Sequence, residues 1–130
     1  MIIIEKPPVY DRIIKAGLQP RKGTIYTYGD NIYNPDNIAI PLYLTVHEGV
    51  HIKQQAKIGK DKWWDKYLED DREFMLSQEL EAYGKQYKLM CSYIKDRNEQ
   101  ARLLLDIAMT LASPMYGSVI SVSEAIKKLK

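Results

Sequence analysis

Pro41-Leu42-Tyr43-Leu44-Thr45-Val46-His47-Glu48-Gly49-Val50-His51-Ile52-Lys53-Gln54-Gln55 is the stretch on which the reading of this chain turns. Pro41 suits the first turn of a helix, apolar residues recur with helical spacing from Leu42 to about Lys57, and Gly59 stops the pattern. Both histidines of the chain fall inside this one segment. His47 and His51 are four apart, so a helix stacks them on one face and lets both imidazoles reach a single metal ion, with Glu48 projecting beside them. Neutral imidazole suits zinc, which takes three protein ligands and leaves a fourth position for water. Zinc lowers the pKa of that water from about 16 towards 7, and Glu48 is placed to take its proton as general base. Gly49 leaves no side chain between the two ligands, which permits close packing behind them.

A third ligand is needed and no third histidine exists, so the search moves to a carboxylate or to Cys91. The segment Ser77-Gln78-Glu79-Leu80-Glu81-Ala82-Tyr83 offers two carboxylates that point to different sides of a helix. Glu79 shares a stripe with Met75, Ala82 or Tyr83, Gln86 and Leu89, as an inward face should. Glu81 falls with Gln78, Lys85 and Lys88, a solvated face on which it pairs with Lys85 one turn on. Periodicity therefore favours Glu79.

Outward from this helix the pattern changes type. Thr24 to Tyr33 combines β-branched and aromatic residues around Gly29-Asp30-Asn31, a hairpin signal, with a short extended piece expected at 37–40. Downstream, helices are predicted over Asp61–Leu68 with Asp61 as cap, over about Asp71–Ile94 behind acidic caps, over Asp96–Ala112 with Asp96 as cap, and from Ser123 to Lys130. Trp63, Trp64 and Tyr67 are expected to cover the core where the short helix docks, and 107–122 to be a helix end followed by a buried loop. The class is α+β, in one domain spanning 1–130: a small N-terminal antiparallel strand region and then a mainly helical part.

Composition excludes more than it identifies. The 130 residues carry 19 basic and 17 acidic side chains, a net charge of +2, which argues against a nucleic-acid partner. The lysines at 127, 128 and 130 match the dipole of a helix end. No stretch is long and apolar enough for a membrane span, and no signal-peptide pattern follows Met1, so a cytoplasmic location is expected. One cysteine allows no internal disulfide.

These residues resemble the zincin metallopeptidases, and within them the gluzincin branch, where a helix bearing H-E-x-x-H is followed by a helix supplying a glutamate. Glu79 to Tyr83 looks like the E-x-x-A-D element of that branch, with Tyr83 in place of the aspartate that orients the first histidine. A closer resemblance is to small candidate peptidases of bacterial and phage genomes, whose helices read H-E-x-x-H-x-x-Q, here His47 to Gln54, and E-x-E-A-Y-x-x-Q, here Glu79 to Gln86. The resemblance covers about the last two thirds of the chain. It implies a minimal zincin-like domain with one zinc on His47, His51 and Glu79, Glu48 as catalytic base, and a peptide or protein substrate. It further implies a peptide lying antiparallel to an edge strand near Ile32–Ile40, and a hydroxyl from Tyr83 supporting His47. Tyr116 reads either as an oxyanion donor or as a packed loop aromatic, with the packed reading ahead. The rival to an enzyme is a zincin-fold binding or assembly protein, because so short a chain leaves little for a substrate subdomain.

Overall fold

The computed structural model describes residues 1–130. It runs β1 (Ile2–Ile3), α1 (Tyr10–Lys15), β2 (Tyr26–Tyr28), β3 (Asn31–Tyr33), α2 (Leu42–Ile58), α3 (Lys60–Tyr67), α4 (Glu73–Tyr93), α5 (Arg97–Leu111), a 3-10 turn at Pro114–Tyr116, and α6 (Val122–Leu129). A small sheet followed by helices is the α+β class expected.

Strands β2 and β3 form the anticipated antiparallel hairpin, with Tyr28 opposite Asn31 across Gly29-Asp30. Gly29 takes φ +64, a conformation that L side chains rarely adopt and that primed hairpin turns require. The sheet is nonetheless mixed rather than wholly antiparallel, because β1 pairs with β3 in parallel, Ile2 opposite Ile32 and Ile3 opposite Tyr33. The order β1-β3-β2 makes β3 the central strand. The edge expected near Ile32–Ile40 is therefore not there: Ile32 lies mid-sheet, 37–40 pairs with no strand, and the edge facing the helices is β2.

Helix α2 starts after Pro41, whose extended backbone (ψ 157) sets the entry, and ends at Gly59 with φ 97. Its inward face is His47, Glu48, Val50, His51 and Gln55, four polar groups to one valine. Burial of unpaired polar groups is costly, so such a face persists only where each group finds a partner. No buried side-chain nitrogen or oxygen lacks one. The partners come largely from β2 and from α4, which packs along α2 and buries Met75, Leu76, Glu79, Ala82, Gln86 and Met90.

Asp96 caps α5 as expected, accepting the Asn98 N–H at 2.8 Å. The other caps differ. Helix α6 begins earlier than Ser123: Ser121 caps it, and Glu124 completes a capping box. Asp61 sits in the first turn of α3 and accepts the Tyr28 hydroxyl at 2.6 Å instead of capping. Arg72, left-handed at φ 62, precedes α4, and Asp71 takes the Glu73 N–H at 3.1 Å. The loop after α5 is mostly exposed apart from Tyr116.

Two cores result. Nine residues of α4, α5, the 3-10 turn and α6, among them Met75, Leu104, Ile107, Leu111 and Leu129, form a helical cluster. Val9, Ile13, Tyr26, Tyr33, Trp63 and Trp64 form an aromatic cluster beneath the sheet. No helix is long and apolar enough to cross a membrane.

Candidate metal centre

One helical turn and one facing helix bring the expected ligands together. His47 Nε2 lies 3.2 Å from His51 Nε2, and Glu79 Oε1 lies 3.0 Å from the first and 3.2 Å from the second. His47, Glu48 and His51 also offer donor atoms within 4.8 Å of one another, and all three are buried. This group can hold a metal ion. The closer triangle is the one with Glu79, because Glu48 Oε2 stands 3.8 Å from His47 Nε2. Tetrahedral zinc with bonds of about 2.0–2.1 Å places its ligand atoms about 3.3 Å apart, close to the separations of the His47, His51 and Glu79 atoms.

The histidine tautomers are fixed from behind by two glutamines. His51 Nδ1 lies 2.8 Å from Gln54 Oε1. The Gln54 amide nitrogen is committed elsewhere, to the Gln78 carbonyl at 3.1 Å and Glu81 at 2.6 Å, so its oxygen faces the ring and Nδ1 carries the hydrogen. His47 Nδ1 meets Gln86 Oε1 at 2.9 Å in the same way. Each ring then presents Nε2 to the other and to Glu79, and these lone pairs and the carboxylate repel one another unless a cation or a proton lies among them. Burial alone would push the Glu79 carboxyl up, yet with a proton on Nε2 the His51 charge and the hydrogen bonds the rings then donate hold it well below the usual carboxylate range. His51 feels the converse: burial lowers it, but the Glu79 charge and hydrogen bond carry it up to about 9. The remaining Glu79 oxygen accepts the Tyr67 hydroxyl, whose own proton is retained because burial and the Glu79 charge push that phenol far up.

Glu48 faces the pair from the β2 side. Its Oε1 accepts the Thr27 hydroxyl at 2.9 Å. Burial raises its pKa, outweighing the neighbouring histidines and Thr27, which lower it. Two buried carboxylates in one pocket are thus driven in opposite directions, one to stay ionised and one to take a proton readily.

Three expectations are corrected. Glu81 pairs with Gln54 rather than Lys85. Gln86, not Tyr83, orients His47, while Tyr83 lies edge-on against the His47 ring at 4.5 Å between centroids. Gly49 is not required for close packing, since an added Cβ meets nothing within 4 Å. Sequence reasoning assigned no role to Gln54 and Gln86, although both stand in the quoted motifs, and it missed Thr27 and the bond from Tyr67 altogether. Cys91 lies at the far end of α4, away from the centre.

The centre opens into a cleft of about 830 Å³ whose lining includes Leu18–Arg21, Gly23–Thr27, Met109, Thr110 and Ser113–Tyr116. Tyr116 is both buried in the helical cluster and part of this lining. Trp63, Trp64 and Tyr67 belong to or pack on the aromatic cluster and also line the cleft, with Trp63 5.4 Å from the His51 ring. Comparison with protein-family models, curated proteins and solved structures gives no match.

Proposed function

We propose that the protein is a zinc-dependent peptidase in which His47, His51 and Glu79 hold the metal and Glu48 is the general base. The observation that carries this reading is the convergence of two oriented Nε2 atoms and one carboxylate oxygen within 3.2 Å, at the side of a cleft that a peptide can enter. Bound zinc supplies Lewis acidity, which polarises a carbonyl and acidifies a water. Gln54 and Gln86 keep both imidazoles aimed at the metal position, and Tyr67 holds Glu79 in a one-oxygen pose. Thr27 fixes the Glu48 carboxylate, and burial raises its basicity, so that it is suited to remove a proton and return it to the departing amine. The low-dielectric walls strengthen each of these interactions. The chemistry is hydrolysis of an amide bond, and no nucleic acid or membrane enters it.

Glu48→Gln is the direct test of the mechanism. Hydrolysis of an unfolded protein substrate should fall by about two to four orders of magnitude with zinc content unchanged. Undiminished turnover in that variant removes Glu48 from the reaction.

A further inference from the structure

An extended chain can add main-chain hydrogen bonds along a sheet edge, and the β2 edge is open on one side of Thr27 only. Gln55 is 1% exposed. Its amide nitrogen donates to the Thr27 carbonyl at 2.8 Å, and its Oε1 accepts the Gly29 N–H at 2.7 Å. Those are outward backbone groups two residues apart, engaged just as one residue of a parallel neighbouring strand would engage them. Trp64 Nε1 adds a second bond to the same carbonyl at 3.0 Å. From the Thr27 carbonyl onward the edge is filled by side chains.

On the other side the situation reverses. The Ile25 N–H and carbonyl have no hydrogen-bond partner in the protein, and Ile25 lines the cleft. The lining runs from Gly23 to Thr27 and stops there, with Tyr28, Gly29 and Gln55 outside it. Thr27 is also the residue whose hydroxyl touches Glu48. The usable edge thus begins beside the reacting groups and leads away in one direction as far as Ile25, since the Gly23 N–H is taken by Asp36 at 2.7 Å; beyond it the cleft continues along the Leu18–Arg21 wall.

We propose that Gln55 and Trp64 close the β2 edge at the reacting centre, so that the protein accepts extended peptide on one side of the scissile bond only and acts on chain ends, as an exopeptidase. This inference rests on the peptidase reading for its chemistry, but the closed edge makes a binding prediction of its own. The closure needs no covalent step beyond amide hydrolysis.

Two measurements test it. Zinc-loaded wild-type protein is incubated with an unstructured synthetic peptide and the products are identified by mass; loss of one or two terminal residues is expected, and cleavage spread over interior bonds overturns the proposal. Separately, the zinc-loaded Glu48→Gln variant is titrated with the same peptide, linear or cyclised head to tail, following the fluorescence of Trp63 and Trp64, which line the cleft. The linear form should bind more tightly by about tenfold or more; equal binding of the two forms, or binding of neither, overturns the closed edge. If the wild type cuts nothing but the variant prefers the linear form, the peptidase reading fails and the closed edge stands. If the wild type cuts interior bonds, the closed edge fails and the peptidase reading stands.

Discussion

The two cores of this protein are built from different chemistry. The helical cluster is dominated by Met, Leu, Ile and Ala side chains without hydrogen-bonding tips, Tyr116 excepted. The aromatic cluster is two tyrosines and two tryptophans out of six, with Tyr67 packed on it. Two of its polar tips, and the hydroxyl of Tyr67, which packs on both clusters, reach the candidate metal centre or its supports: Trp64 the Thr27 carbonyl, Trp63 the Gln78 side chain at 2.9 Å, and Tyr67 the Glu79 carboxylate. An aliphatic core fixes how well the chain folds, whereas an aromatic core with polar ends also dictates where the site's atoms stand. The candidate metal centre lies on the seam, with His47 and His51 on α2 and Glu79 on α4.

The sharpest way to break this division is to cut into the aliphatic side. Leu111→Ala, at a side chain with no exposure, should lower unfolding stability by about 2–5 kcal/mol in denaturant titration while the folded protein keeps its zinc affinity. A parallel loss of zinc affinity in the folded state would show that the cores do not act separately. Next in size is the aromatic side. Tyr67→Phe leaves one oxygen of the buried Glu79 carboxylate without its donor, and should weaken zinc binding by about 10- to 100-fold and lower stability by about 1–3 kcal/mol; the same weakening of zinc binding is expected for Gln86→Leu, which releases His47. The smallest effect belongs to a residue remote from both clusters' contacts with the site. Ser121→Ala at the α6 cap should cost about 1 kcal/mol and leave zinc affinity untouched.

Legibility in the sequence followed the range of the interactions. The α2 helix was readable because its periodicity, Pro41 and Gly59 are local signals, and the α4 stripe that separates Glu79 from Glu81 is likewise internal to one helix. The hairpin announced itself through Gly29-Asp30. Strand β1, two residues long, and α1, six residues long, are too short to leave a period, and parallel pairing between the chain start and β3 is a long-range choice. The α6 start was readable and misplaced: Ser121 has Glu124 three residues on, the capping-box spacing, and Ser123 does not. The roles of Tyr67, Thr27 and Gln55 depend on contacts across 12 to 28 residues, which no local pattern encodes.

The central claim is that His47, His51 and Glu79 form a zinc site whose place a proton otherwise takes. Calorimetric titration of metal-stripped protein with zinc, in buffers of different ionisation enthalpy, tests it most directly. Burial lowers His51 but the Glu79 charge and hydrogen bond carry it up to about 9, so zinc uptake is expected to displace a proton, with affinity rising as pH climbs from about 7 towards 9. The expected result is one zinc per chain with about one proton released at pH 7, and loss of both in His47→Ala. Folded wild-type protein that takes up no zinc, or a His47→Ala variant that binds it as tightly as the wild type, contradicts the claim.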